Sequence, residues 1–230
     1  MSELIALVDT ETTGTDPSKD VVIEASWALV QVSTAKVLEV HSRLFAAEAN
    51  AAEAINGIPV ELLQSAQVSR QAYTDAVSDQ DVAIVLPKDV SCIVAHNAEF
   101  DRQWRAFGPA GLPWLDTRDW RWPRASADST LVAIALAHGV GVTSAHRAYT
   151  DVLTMAALLE RVHEMGVTLA EQLEYARLLR QTYEALVPFA EKDKAKSAGF
   201  KWEPERKRWV RRMLPEDVAK LEFKTRVVTP

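Results

Sequence analysis

The segment VDTETTG occupies residues 8–14 and directly continues the apolar run Leu4–Val8. Asp9 and Glu11 stand two residues apart where that run ends, so on an extended strand both carboxylates leave the same face. Two carboxylates placed in this way repel each other, and a bound cation offsets the repulsion. Hard oxygen ligands suit Mg²⁺ or Mn²⁺. The spacing therefore predicts a metal-binding edge at the end of a buried strand.

The residues around this segment alternate between apolar runs and turn-rich breaks. Leu4–Val8, Val21–Val30 and Lys36–Phe45 are rich in β-branched and apolar residues, which is typical of strands. Residues 12–20 contain glycine, proline and aspartate and are predicted to form the first connecting loop. Helical patterns and a further short strand follow, as far as about His163. This order predicts an α/β domain in which a mixed sheet is flanked by helices.

Composition excludes several classes of protein. Of the 230 residues, 48% are hydrophobic and 25% are charged, which is globular rather than disordered composition. No apolar run approaches the roughly 18 residues of a membrane span, so we expect a soluble, cytoplasmic protein without a membrane partner. The one cysteine, Cys92, forms no internal disulfide, and five histidines argue against a Cys/His zinc site. Any metal must therefore be held mainly by carboxylates.

Charge divides the chain into an acidic body and a basic tail. Residues 187–230 hold 12 Lys/Arg and 7 Asp/Glu, whereas the net charge of the whole chain is −6. We predict a catalytic domain over residues 1–168, a connecting helix over 169–186 and a small basic α+β module over 187–230. The basic tail suggests contact with a polyanion, and a solvated basic surface is the alternative.

Two further acids and one histidine are candidates for the same site. Asp101 lies near the start of a helix predicted to run from Asn97 to Phe107, and Asp151 lies on the inward face of a later helix. Each carboxylate is either a metal ligand or the ion-pair partner of an arginine. His146 precedes Asp151 by five residues, on the loop or first turn that leads into the helix. An imidazole with an ordinary pKa of about 6.5 is able to remove a proton from water at neutral pH.

Three segments together resemble the motifs of the DEDDh, or DnaQ-like, 3′→5′ exonuclease family. They are VDTETTG (8–14), AHNAEFD (95–101) and HRAYTD (146–151). The similarity extends over about residues 3–163 and implies a ribonuclease-H-like fold. The resemblance implies two Mg²⁺ or Mn²⁺ ions, with His146 as general base and metal ligands at Asp9, Glu11, Asp101 and Asp151.

The resemblance also implies an activity. A two-metal nuclease of this family hydrolyses the phosphodiester bond at a free 3′ end of single-stranded nucleic acid, with DNA favoured here, and releases nucleoside 5′-monophosphates. Thr12, Thr13 and Gly14 are the expected contacts to the terminal nucleotide, and Asn97 is either a further contact or a helix cap. An RNA-trimming ribonuclease, or a proofreading or scaffold subunit with a polymerase or repair partner, are the alternatives. The oligomeric state is not indicated by the sequence.

Two regions extend or depart from this pattern. Asn56 stands where many members of the family have histidine, and we expect only a peripheral contact to differ. The segment VPFAEKDKAKSAGFKWEPERKRWV (187–210) resembles a short domain of unknown function that recurs beside nucleic-acid enzymes. Its lysines and arginines predict contacts to phosphates without sequence recognition. A stabilising cap or a protein-docking module is the alternative.

Overall fold

A computed structural model describes residues 3–65, 69–72, 83–109 and 111–228. The chain divides into two compact units, Met1–Ala176 and Arg177–Pro230. The described helices are α1 Glu53–Asn56, α2 Val60–Leu63, α3 Ala98–Gln103, α4 Leu131–Ala137, α5 Ala148–Glu164, α6 Leu169–Arg177, α7 Lys192–Ser197 and α8 Pro215–Val218. The described strands are β1 Leu4–Thr12, β2 Val22–Gln31, β3 Lys36–Ala46, β4 Ser69–Ala72, β5 Ile84–Val85, β6 Val90–Ala95, β7 Phe107–Gly108, β8 Trp114–Asp116, β9 Gln181–Ala185, β10 Lys201–Glu203, β11 Arg208–Met213 and β12 Thr225–Val227.

A six-stranded sheet forms the centre of the first unit, in the order β4-β3-β2-β1-β6-β8. Strand β1 pairs antiparallel with β2 and parallel with β6, so the sheet is mixed. Its side chains divide by the period-two rule. Ile5 and Leu7 pack in one core with helices α4, α5 and α6, whereas Ala6 and Val8 pack in a second core on the other face. The mixed sheet with helical cover predicted from the sequence is confirmed.

Helix α5 crosses the face of β1 that carries Ile5 and Leu7. Val152, Met155 and Leu159 of α5 are almost fully buried in the same core, as their helical spacing of three and four residues predicts. Because odd-numbered residues of β1 share one face, Asp9 and Glu11 continue this stripe beyond the apolar run. The fold thereby brings the end of β1 beside the first turn of α5.

The helix predicted from Asn97 to Phe107 is shorter than expected. It ends at Gln103, and Arg105 takes a left-handed φ of 53°, which no regular helix continues through. Phe107 and Gly108 instead form strand β7, parallel to β5. Trp104, which directly follows the helix, and Phe107 are both buried in the second core.

The connecting helix predicted over residues 169–186 is wrong in its second half. Helix α6 ends at Arg177, and Leu169, Leu173 and Ala176 pack in the core of the first unit. Strand β9 follows, with buried Tyr183 and Ala185 alternating with half-exposed neighbours. This alternation has the period of a strand, and β9 forms backbone hydrogen bonds with β11 and β12, so pairing outweighs the helical propensity of the segment.

The second unit is an antiparallel sheet with two short helices. Its strand order is β10-β11-β9-β12, and its core contains Tyr183, Ala195, Phe200 and Met213. The predicted short helix and the following hairpin appear as α7 and as β10–β11. A separate small α+β unit is thus present, although it begins at Arg177 rather than at residue 187. None of the described helices in either unit has the length and apolar character needed to cross a bilayer.

Candidate metal and catalytic site

Three carboxylates meet where β1 ends beside α5. Asp9, Glu11 and Asp151 each offer an oxygen, and these oxygens lie within 4.8 Å of one another. All three side chains are half-buried. Two of the ligands come from the strand and the third comes from a helix about 140 residues later in the chain, so tertiary packing creates the group.

The electrostatics of this group favour a cation. Burial raises the pKa of Asp9 well above its ordinary value, and the charges of Asp101 and Glu11 raise it further. Burial and the charge of Asp151 raise the pKa of Glu11 to about 8. The pKa of Asp151 is also raised, chiefly by burial. Ionised carboxylates at this spacing are unfavourable without a positive charge, so the donor set fits a hard divalent ion.

Asp101 lies beside this group and has a different partner. Its side chain is 2% exposed, and the Thr10 hydroxyl donates a hydrogen bond of 2.8 Å to Oδ1. Burial raises the pKa of Asp101 to about 7, against the opposing effect of that hydrogen bond. Asp101 falls outside the 4.8 Å group but interacts with Asp9 electrostatically. The expected fourth acid is therefore adjacent to the other three.

The sequence left an arginine ion pair open for Asp101 and for Asp151. Neither pair is found among the described residues. Arg147 pairs instead with Glu24, and Asp151 accepts a hydrogen bond of 3.1 Å from the backbone N–H of His146. His146 lies on the loop just before α5, in a left-handed conformation with φ of 61°. Its side chain is exposed, and the imidazole does not belong to the 4.8 Å group. The predicted position on the loop is thus observed.

Glu24 is a buried acid that the sequence analysis did not single out. It lies on β2 directly opposite Glu11, is 2% exposed and accepts hydrogen bonds from Arg147 Nε at 3.0 Å and Nη2 at 3.3 Å. It also accepts from the backbone N–H of Ala148 at 3.1 Å and from the Ser42 hydroxyl at 3.2 Å. A lone acid within the apolar run VVIEASWAL was the available signal. Glu24 thus connects the sheet to the start of α5. The side chain of Arg147, the N-cap residue of this helix, makes no cap hydrogen bond of its own.

The predicted nucleotide-contacting segment is held in place by short-range hydrogen bonds. The Thr12 hydroxyl donates to the carbonyl of Gly14, and the Thr13 hydroxyl donates to Asp20 at 3.2 Å. A Cβ at residue 14 would collide with the Asp20 carboxylate, so any larger residue there requires the Asp20 side chain to move. Thr12 and Thr13 are buried and Gly14 is half-buried. The segment therefore has a fixed conformation beside Asp9 and Glu11.

Asn56 is more central than its place in the sequence suggested. It is 2% exposed and donates from Nδ2 to the Thr12 carbonyl at 3.2 Å. Its Oδ1 accepts from the backbone N–H of Ile58 at 3.0 Å and from Asn50 Nδ2 at 2.9 Å. Asn56 thus joins the end of β1 to the segment after α1.

Asn97 occupies the N-cap position of α3 without capping it. It has a left-handed φ of 77°, and its side chain makes no cap hydrogen bond. The Asp116 carboxylate accepts hydrogen bonds from the backbone N–H groups of Asn97 and Ala98, each at 3.1 Å. The helix that carries Asp101 is therefore capped from β8. The Asn97 side chain is not needed for that task.

Comparison with known proteins finds a family match in the second unit and a structural similarity over most of the chain. Residues 181–228 match a family described as a domain of unknown function, DUF8626. This match confirms the predicted resemblance of the tail to such a domain and covers about a fifth of the chain. No protein with a curated description matches the chain by sequence.

Solved exonucleases have a similar structure. Exonuclease X in complex with 5′-overhanging duplex DNA is 23% identical, with a TM-score of 0.50, and the match covers 75% of this chain and 99% of that one. E. coli exonuclease I in complex with a dT13 oligonucleotide is 15% identical, with a TM-score of 0.55 over 80% of this chain and 48% of that one. The zinc-bound E. coli exonuclease I–ssDNA complex is 16% identical, with a TM-score of 0.56.

These similarities establish the fold of the matched region. The chain matches less than half the length of the exonuclease I structures and nearly all of exonuclease X. The ribonuclease-H-like fold implied by the three motifs is confirmed, since the matched region shares its fold with exonuclease X and exonuclease I.

Proposed function

We propose that this protein is a metal-dependent 3′→5′ exonuclease that acts on single-stranded nucleic acid, with DNA favoured. The observation that supports the proposal best is the convergence of Asp9, Glu11 and Asp151, with raised pKa values, at one edge of a sheet shared with exonucleases. Asp9 and Glu11 are close because they are neighbours on one strand, whereas Asp151 joins them only through the packing of α5 on the sheet, and such a convergence of acids with raised pKa values supports a functional site. Hydrolysis releases nucleoside 5′-monophosphates.

The acids of the site would hold two Mg²⁺ or Mn²⁺ ions. Asp9, Glu11 and Asp151 would bind one ion, and Asp101 would support the second together with Asp9. Divalent ions in such a site lower the pKa of an attacking water and offset the charge that develops on the phosphate. Because the carboxylates must be ionised to bind a metal ion, their raised pKa values make metal binding pH-dependent. Metal binding then releases protons from these carboxyl groups.

The remaining residues would bind the strand and move a proton. His146, exposed beside Asp151, would accept the proton of the attacking water as general base. Thr12, Thr13 and Gly14 would contact the 3′-terminal nucleotide through backbone and hydroxyl groups. Asn97 would be a further contact, and the finding that its side chain makes no cap hydrogen bond supports this role. The fixed conformation of residues 12–14 would orient the terminal phosphodiester toward the acids.

The second unit and the cellular context complete the proposal. The basic module would assist engagement of the strand, and the enzyme would act in the cytoplasm. An RNA-trimming ribonuclease would use the same acids and would differ in the recognition of the 2′-hydroxyl. A proofreading or scaffold subunit would bind a polymerase or repair partner and would contribute little hydrolysis alone.

The test is digestion of single-stranded DNA and RNA, labelled at either the 3′ or the 5′ end, in Mg²⁺, Mn²⁺ or EDTA. We expect a metal-dependent ladder that shortens from the 3′ end. Asp151→Asn should abolish it, whereas the matched control Glu160→Gln should not, because Glu160 is exposed on the same helix.

Each alternative gives a different result in that assay. A ladder from RNA but not from DNA favours the RNA-trimming ribonuclease. Absence of shortening for both polymers in every metal contradicts the exonuclease proposal and favours a subunit that functions by binding a partner. Equal activity of Asp151→Asn and Glu160→Gln removes the acids from the mechanism.

A further inference from the structure

The sheet of the second unit has two faces of different character. Trp202 of β10 lies directly opposite Trp209 of β11, and Arg211 of β11 lies directly opposite Tyr183 of β9. Directly opposed residues share a face, so these four side chains lie on the face that also carries the buried core. Lys201, which pairs with Val210, lies on the other face.

An aromatic and cationic surface lies at the outer edge of the core face. Trp202 is on the edge strand β10 and is 45% exposed. Its ring lies 5.5 Å from that of Trp209, at an angle of 55°. Arg211 follows two residues after Trp209 on the same face and is exposed. We call Trp202, Trp209 and Arg211 the tryptophan edge.

Arg211 is oriented by the backbone and not by an acid. Its Nη1 donates to the carbonyl of Ala198 at 2.6 Å, which leaves the charge of the guanidinium uncompensated by any carboxylate among the described ion pairs. Glu203 of the hairpin pairs with Arg208 on the opposite face, and Arg206 Nε lies 4.0 Å from the same carboxylate. The hairpin turn between β10 and β11 adds the exposed cation Lys207.

We propose that the tryptophan edge binds single-stranded nucleic acid, with bases stacked on Trp202 and Trp209 and a backbone phosphate at Arg211. This inference assigns a role to the unit that matches the domain of unknown function, and it rests on the proposed function for its substrate. An exposed indole offers stacking to any base, and an adjacent guanidinium offers two hydrogen bonds to a phosphate. Residues 177–230 hold 14 Lys/Arg and 8 Asp/Glu, which is complementary to a polyanion.

A single-stranded chain fits this surface better than a duplex does. Trp202 is 45% exposed on the edge strand, with its ring tilted by 55° from that of Trp209. The bases of a duplex present no free faces for stacking on such a ring. The chemistry does not depend on base identity, so we expect binding without sequence preference. A solvated basic surface, the alternative drawn from the sequence, would explain the lysines but not the exposed Trp202.

The experiment measures binding without cleavage. The full chain carrying Asp9→Ala is titrated in EDTA against a fluorescent oligothymidylate, with anisotropy recorded at several salt concentrations. Loss of one stacked base costs about 1–3 kcal/mol, so Trp202→Ala should raise Kd by roughly 5- to 150-fold. Arg211→Gln should weaken binding and reduce the salt dependence by about one phosphate contact.

Matched variants separate a binding role from a folding role. Phe189→Ala removes another exposed aromatic residue of the same unit, 81% exposed, and Lys224→Ala removes another exposed cation. Both should bind as the parent does. Trp202→Phe keeps a ring for stacking and should recover most of the affinity lost in Trp202→Ala.

Two results would overturn the proposal. One is unchanged affinity and salt dependence in both Trp202→Ala and Arg211→Gln, which would favour a protein-docking surface. The other is an equal loss in Phe189→Ala, which would indicate a general defect of the unit. Because the titration needs no hydrolysis, it gives an answer even if the exonuclease assay fails, so the two proposals fail separately.

Discussion

Replacement of Glu24 by glutamine removes the buried negative charge that holds Arg147 and keeps the size of the side chain. The wild-type carboxylate accepts four hydrogen bonds from Arg147, Ala148 and Ser42. An amide has one acceptor oxygen and one donor nitrogen, so it cannot satisfy all four donors. At least one donor must lose its partner, and Arg147 loses its counter-charge.

The expected magnitude follows from these contacts. Breaking a buried ion pair by removal of one charge costs about 3–5 kcal/mol. The Arg147 side chain is 35% exposed and regains some hydration, so we expect a cost below that range, about 2–3 kcal/mol. For a chain of this length that corresponds to a fall in Tm of roughly 4–12 °C. Glu24 also fixes the start of α5 next to His146 and Asp151, so kcat should fall by about 10- to 100-fold.

Thermal unfolding in EDTA and steady-state hydrolysis with Mg²⁺ are the assays. Ser42→Ala serves as a graded control, because it removes one of the four hydrogen bonds and should cost about 1 kcal/mol. Arg147→Lys keeps a charge without the two-pronged contact and should lie between wild type and Glu24→Gln. A Glu24→Gln protein with wild-type Tm and kcat would refute the argument that Glu24 positions this end of α5.

Three further outcomes follow from the site. In EDTA the pKa of Glu11 is about 8 in the folded chain, against its ordinary pKa of 4.5 in the unfolded chain. Between these two pH values the folded chain binds the extra proton, so the free energy of unfolding should fall as pH rises from 4.5 to about 8. Mg²⁺ should therefore raise Tm more at pH 8 than at pH 5, and an equal rise in differential scanning calorimetry would contradict the raised pKa. His146→Ala should lower kcat by about 10²- to 10⁴-fold while the Mg²⁺-induced rise in Tm persists; loss of that rise would assign His146 to metal binding instead. Asn56→Ala leaves the Thr12 carbonyl and the Ile58 N–H without their partner, and chemical denaturation should report a loss of about 1–3 kcal/mol.

Local patterns in the sequence predicted most of the first unit. The apolar runs became β1, β2 and β3, and the spacing of Val152, Met155 and Leu159 gave the buried face of α5. Prediction failed where backbone pairing with a distant segment decided the outcome. Strand β9 forms because β11 and β12 supply its hydrogen bonds, and neither strand is near it in the sequence.

The same distinction applies to the site. The motifs predicted that Asp9, Glu11, Asp101 and Asp151 belong together, and three of them do meet within 4.8 Å. Motif comparison did not draw attention to Glu24 or to the contacts of Asn56. Glu24 matters because β2 places it opposite Glu11 and α5 brings Arg147 to it, and Asn56 matters because its amide reaches the Thr12 carbonyl.

The amino-acid sequence was enough to predict the candidate site residues and the order of the elements that hold them, because strand and helix periods and motif spacing are properties of neighbouring residues. The electrostatics of the site depend on the folded structure. The pKa of Glu11 rises to about 8 because burial and the charge of Asp151 act on it through space. Such shifts depend on distances between residues far apart in the chain, which no local pattern encodes.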